Sequence, residues 1–293
     1  MPIIKKDDIM PERPVIIVLY GTPGTGKTSL ANTAKNPILI DTDRGSDRAS
    51  NRVDTLMASK WIDIENEKEA IKAYDTVVID TAKSLLDDYL SDYVVSLNYK
   101  LKTNGLKRFG EMAEKFKEFV NFLRQNQSDI IFVCHDKETT EGDIVKHSPE
   151  CTGQSKDLLL RIADQVGYIT IANRQRTIVF DPTDTTVGKN VAQIPATAIP
   201  DVSSVNFQNC MADIIDKVKK SLVNKSEAQK AAQAILEVAR KKVENCSSVK
   251  EANELIEVAN NLAKVHQKAF KLYMIDELKK KGYTFKDGKF IKE

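Results

Sequence analysis

Gly21-Thr-Pro-Gly-Thr-Gly-Lys27-Thr28 decides the reading of this chain. It meets the pattern G-x-x-x-x-G-K-[ST] in full through Gly21, Gly26, Lys27 and Thr28, with the apolar run Val15-Ile-Ile-Val-Leu19 before it and a helical pattern over 28–35 after it. Glycines let successive backbone N–H groups curl inward without a Cβ clash, making an anion cradle at a helix N-terminus. The Lys27 ammonium can reach the β- and γ-phosphates of a nucleoside triphosphate, and the Thr28 hydroxyl can complete a Mg2+ shell. The expected nucleotide contacts are Gly21, Thr22, Pro23, Gly24, Thr25, Gly26, Lys27, Thr28 and Ser29.

Outward from the loop, short apolar runs alternate with amphipathic stretches. Pro37-Ile-Leu-Ile-Asp41, Thr76-Val-Val-Ile-Asp80, Asp129-Ile-Ile-Phe-Val-Cys134 and Val166-Gly-Tyr-Ile-Thr-Ile171 read as strands buried on both faces of a mainly parallel sheet. Helical patterns fall at 67–74, 82–97, 111–126 and 156–163, and later strands at 177–180 and 190–194 suggest a hairpin at the sheet edge. This alternation predicts a three-layer α/β domain over 1–204. From 205 the sequence turns helical and alanine-rich, and 205–293 is expected to be a separate α-helical region. Capping boxes at Ser226-Glu-Ala-Gln229 and Ser248-Val-Lys-Glu251 mark two helix starts there. Ala228, Ala231, Ala232, Ile235 and Ala239 would line one packed face; Ala252, Leu255, Ile256, Ala259, Leu262, Ala263, Phe270 and Tyr273 the next. The end reads as a small hairpin around Asp287-Gly288.

Bulk composition excludes little. Lys+Arg 44 against Asp+Glu 42 gives a net charge of +2, so any polyanion contact must come from a local patch. The opening Met1-Pro-Ile-Ile-Lys-Lys-Asp-Asp lacks the apolar core of a secretory signal, and no run is apolar for long enough to cross a bilayer. The four cysteines, Cys134, Cys151, Cys210 and Cys246, form no CxxC pair and read as reduced thiols of a cytoplasmic protein. His135, His147 and Cys151 lie near one another, but without a second tight ligand pair they do not suggest a metal site.

Asp80, closing its strand, is the candidate Walker B carboxylate that holds Mg2+ together with Thr28. Thr81 follows it, where AAA+ proteins usually carry a catalytic Glu. No Asn-Lys-x-Asp guanine-reading motif occurs, so ATP is the expected nucleotide. With these residues in hand, the first 200 positions resemble RecA-like recombinase ATPases, closest to the short phage-type proteins associated with single-strand annealing, although the phosphate loop itself resembles the AAA form. The resemblance implies a RecA-like core with bound ATP and Mg2+, ATP hydrolysis, a phage origin and hence the host cytoplasm. It places Asp43 where the family has a water-orienting Glu, with Glu65 or Glu67 as substitutes, and His135 at the γ-phosphate sensor. It makes 137–155 the mobile DNA-contacting segment, including Lys137 and Lys146. Lys189 becomes the cation offered to a neighbour's ATP, with Arg174 and Arg176 in reserve, so a filament or ring of identical subunits is implied.

Independently of the resemblance, Lys100, Lys102, Lys107 and Arg108 form a basic loop flanked by Tyr99 and Phe109, a pairing suited to single-stranded DNA or to a solvated turn. The leading expectation is an ATPase that binds single-stranded DNA in recombination or annealing. The alternative is a nucleotide switch that docks a replication or recombination protein through its C-terminal helices. A small-molecule kinase fits less well, since no Arg-rich lid or acceptor signature is evident.

Overall fold

In the computed structural model, which describes residues 13–262, 264–286 and 288–292, the apolar runs become strands of one ten-stranded sheet. The strands are β1 (Ile16–Gly21), β2 (Pro37–Asp41), β3 (Asp54–Met57), β4 (Thr76–Asp80), β5 (Asp129–Glu141), β6 (Ile144–Pro149), β7 (Gln165–Ala172), β8 (Gln175–Val179), β9 (Lys189–Asn190) and β10 (Thr197–Ile199). Strands β7-β1-β5-β4-β2-β3 run parallel in that order. The antiparallel strands β8 and β10 extend the β7 edge, while β6 and β9 pair with β5 and β7. Ile16, Val18 and Tyr20 of β1 pack in a core with Phe116, Phe119 and Leu158, and Ile17 and Leu19, on the opposite face, are equally buried. Both sheet faces are therefore covered, which is why these strands read as unbroken apolar runs. The result is the expected three-layer α/β core around a mainly parallel sheet.

Helices α1 (Lys27–Ala31), α2 (Trp61–Asn66), α3 (Lys68–Ile71), α4 (Ser91–Leu97), α5 (Gly105–Gln125) and α6 (Gly153–Ile162) flank the sheet. The helical pattern over 67–74 yields the short α3. The one over 82–97 yields a π-helical stretch, Ser84–Leu90, that continues into α4. The expected edge hairpin at 190–194 is corrected. Only the two-residue β9 forms there, and it pairs with β7, while the edge belongs to β8 and β10. The turn joining β7 to β8, Asn173-Arg174, has φ of 52° and 63°, the geometry of a tight two-residue hairpin.

The chain divides into compact units Glu12–Ser221 and Leu222–Glu293, whereas the sequence changes character at 205. The first turns of α7 (Cys210–Glu244) belong to the first unit for a physical reason. Met211 N–H donates to Thr33 Oγ1 at 2.8 Å, and Lys219 Nζ bonds the buried Asp129 carboxylate at 2.7 Å. Helix α7 runs through the expected start at 226–229, so no new helix begins there, and the face is shifted. Ala231 and Ile235 are exposed while Leu236, Ala239 and Val243 are buried.

The second unit is built on α8 (Val249–Asn261), α9 (Lys264–Lys280) and the hairpin β11 (Tyr283–Lys286) with β12 (Lys289–Lys292). Ser248 caps α8 as expected, accepting from Glu251 N–H at 3.2 Å, and the Glu251 carboxylate accepts from Ser247 N–H at 2.9 Å. Ala252, Leu255, Ala259, Phe270, Met274, Tyr283 and Phe290 are buried together. Met1 to Glu12, Ala263 and Asp287, which entered the sequence reading, lie outside the described residues. The side chains of Ala228 and Ala232 and those of the expected cap at 226–229 are likewise outside. Among the described residues no helix is long and apolar enough to cross a membrane, and all four cysteines are buried free thiols.

Candidate functional site

The sheet register gathers the functional candidates at the carboxyl ends of the parallel strands, where open α/β sheets bind ligands. Gly21 at the tip of β1 lies opposite His135 in β5, and Asp80 at the tip of β4 lies opposite Asp41 in β2. Strand β5 is interposed between the strand of the phosphate loop and that of Asp80. A cavity of about 360 Å³ opens over these tips, lined by Pro23, Gly24, Gly26, Lys27, Thr28 and Ser29 and by Asp43, Arg48, Asp80, His135 and Arg176; of the expected contacts, Gly21, Thr22 and Thr25 do not line it.

The loop needs its glycines. A Cβ on Gly21 would collide with the Ile169 carbonyl of β7, so only glycine lets the strands pack this closely. Gly26, the residue before α1, has φ 81°. Lys27 is buried, and its ammonium donates to the Gly21 and Thr22 carbonyls at 2.8 and 2.9 Å, which centres it on the loop. Burial lowers its pKa, opposed by the charge of Asp80. Thr28 Oγ1 donates to Asp80 Oδ2 at 2.5 Å. Burial raises the Asp80 pKa, and the hydroxyl of Thr28 offsets part of this. Two hard oxygen donors this close, one an anionic carboxylate held out of water, fit a magnesium ion, and the loop's inward N–H groups fit the phosphates it accompanies.

The far wall comes from the loop after β2. Asp41, singled out by nothing in the sequence, is its anchor: the buried carboxylate accepts N–H groups of Asp43, Gly45 and Ser46 at 3.1, 3.2 and 2.9 Å. Burial pushes the Asp41 pKa up, but the Ser46 hydroxyl and these N–H donors outweigh it and hold the carboxyl below its usual value. Thr42 ties this loop to the Asp80 segment through Thr42 N–H to Asp80 O at 2.8 Å and Thr81 N–H to Thr42 Oγ1 at 2.8 Å. Asp43 is thereby presented to the cavity with its Oδ2 3.6 Å from His135 Nε2. The other ring nitrogen of His135, Nδ1, is buried and has no hydrogen-bond partner among the described residues.

The remaining candidates divide. Arg176, held only in reserve by the sequence reading, lines the cavity; a Cβ on Gly26 would lie 2.5 Å from its Nη1. Its guanidinium is fixed by the Pro200 carbonyl at 2.9 Å and by the Phe207 ring at 5.6 Å. Lys189 is placed elsewhere: its ammonium donates to the Leu160 and Ala163 carbonyls and so caps the end of α6. Glu65 pairs with Lys68, and neither Glu65 nor Glu67 lines the cavity. Arg174 is exposed at the tip of the β7–β8 hairpin.

The segment expected to be mobile, 137–155, is instead regular. It forms the outer half of β5, a turn at Gly142, β6 and the start of α6. Lys137 is exposed, and Lys146 is neutralised by Glu141 at 2.5 Å. The expected basic loop is instead a short helical turn, Tyr99–Lys102, followed by the first turn of α5; Lys100, Lys102 and Lys107 are exposed and Arg108 half-buried, with the Lys102 ammonium 5.4 Å above the exposed Tyr99 ring.

Residues 13–191 match a family model described as an AAA domain. No curated protein matches the sequence. Among solved structures, the crystal structure of the RadB recombinase is similar at 14% identity over 57% of this chain and 81% of that one, with a TM-score of 0.36.

Proposed function

Because the chain belongs to the AAA-domain family, we propose that it binds Mg2+·ATP in the cleft at Lys27 and hydrolyses it, acting on single-stranded DNA in recombination or annealing. One observation supports the catalytic half of this reading: Lys27, Thr28, Asp80, Asp43 and His135, drawn from separate segments, converge on a single cavity. The magnesium ion would neutralise phosphate charge and be held by Thr28 and Asp80. Lys27 and Arg176 offer positive charge to the phosphates from within the same chain. Asp43 holds a water by accepting its proton hydrogen bond, and His135 donates one hydrogen bond toward the terminal phosphate. Asp43 is one methylene shorter than the Glu it replaces, which is consistent with slow turnover. With Lys189 committed to α6, Arg174 becomes the residue proposed to serve a neighbouring subunit in a filament or ring.

The DNA half rests on the basic surface at 99–108, a short helical turn over Tyr99–Lys102 followed by the first turn of α5, which exposes Lys100, Lys102 and Lys107 and sets Lys102 over the exposed Tyr99 ring. Binding of fluorescent single-stranded DNA, measured across a salt series with and without a non-hydrolysable ATP analogue, tests it. The analogue should tighten binding, and replacing all three lysines by alanine should reduce the log–log salt slope by about two. No detectable binding in either state would remove the DNA role. That outcome would favour the second reading, a nucleotide switch that docks a protein partner, to which the separate core of the Leu222–Glu293 unit lends support.

A further inference from the structure

The base of the β5–β6 hairpin carries a cluster that the nucleotide cleft does not use. Side chains alternate along a strand, so Asp136 and Glu138 of β5 share a face, and the ladder sets Glu138 directly opposite His147 of β6. One candidate ligand atom from each of Asp136, Glu138 and His147 lies within 4.8 Å of the other two. His147 Nδ1 is 2.6 Å from Asp136 Oδ2.

The Asp136 carboxylate is the telling group. Its side chain is only 2% exposed, yet its second oxygen, Oδ1, has no hydrogen-bond partner among the described residues. An unpartnered carboxylate oxygen held out of water is costly, and buried charges are normally paired or bound to a cation. A single imidazole faces two carboxylates here. Of the neighbouring basic residues, Lys146 is taken up by Glu141 and Lys83 by Glu150, while Lys137 is exposed. Tyr168 stacks on His147 with ring centroids 5.2 Å apart, and Tyr20 lies beyond it at 4.9 Å.

We propose that Asp136, Glu138 and His147 bind one divalent cation of the zinc class at the base of this hairpin. A donor set of one imidazole and two carboxylates suits zinc better than magnesium or calcium, which prefer oxygen alone, and three protein ligands leave a position for water. The ion satisfies the buried Oδ1 and clamps both hairpin strands one residue beyond His135, the residue that borders the nucleotide cleft.

The test is calorimetric titration of the untagged, EDTA-treated full chain with zinc chloride in excess magnesium chloride. The expected result is one zinc per chain. Glu138→Gln, an exposed change that leaves the fold intact, and His147→Ala should each weaken binding by about tenfold or more. Thr28→Ala should leave it unchanged, which separates this site from the nucleotide cleft. Absence of stoichiometric zinc binding overturns the proposal. So does zinc binding that survives undiminished in Glu138→Gln and His147→Ala with circular dichroism unchanged, because the ion then sits elsewhere.

Discussion

Asp80 is paired with Thr28 and largely withdrawn from water, and this gives it two opposed consequences. Burial raises its folded-state pKa above the unfolded value, so the folded chain holds this proton more tightly than the unfolded chain does. The stability it contributes is therefore full at low pH and lost as pH rises through the raised folded value. At pH 7, without nucleotide, Asp80→Asn should raise Tm by a few degrees while weakening magnesium-dependent nucleotide binding. A lower Tm in scanning calorimetry would contradict the burial argument. Arg176 gives a second expectation. Removing a cation held against the phosphate loop should weaken ATP binding by about tenfold in Arg176→Ala, with Arg176→Lys intermediate because lysine lacks the planar fork. Equal affinity in both variants and the wild type would remove Arg176 from the site. These residues differ in how far the sequence reveals them. Lys27 and Thr28 are legible because phosphate binding demands particular residues at neighbouring positions. Arg176 and Asp41 are not. Arg176 reaches Gly26 only through the packing of β8 beside β7, and Asp41 resembles any strand-ending aspartate until its three N–H donors are seen.

The strands of the core are legible for a reason that fails at the edges. A strand covered on both faces must be apolar throughout, which marks β1, β2, β4, β5 and β7, whereas β3 is half-exposed, β6 is mixed in composition and exposed over its first residues, and β10 is only three residues long. Their partners, not their composition, make them strands. The extension of β5 past His135 is the consequential miss, because the hairpin it forms brings His147 beside Asp136. The sequence offered only His135, His147 and Cys151 as neighbours. Helix starts show the same division. Two capping boxes are spelled in the sequence, yet only Ser248 begins a helix, since α7 continues through the other. Ser248→Ala should therefore destabilise the unit that contains α8 by about 1 kcal/mol, read as a lower denaturant midpoint. An unchanged midpoint would mean that the Ser247–Glu251 contacts suffice without it.

At the scale of the molecule, the nucleotide cleft draws on four strand tips and a guanidinium from the sheet's antiparallel flank, all inside one compact unit. The sequence divides the chain where its composition changes. The unit boundary falls later, because Thr33 and Asp129 hold the opening turns of α7. A site assembled this way binds as a whole, and its centre is the ammonium of Lys27. The most direct test is titration of the full-length protein and of Lys27→Ala with a fluorescent, non-hydrolysable ATP analogue in the presence of magnesium. The wild type should bind one nucleotide per chain. The variant, with its circular dichroism unchanged, should bind about a hundredfold more weakly, equivalent to roughly 2.7 kcal/mol. Equal affinity in the two proteins would contradict the assignment of this cleft as the ATP site.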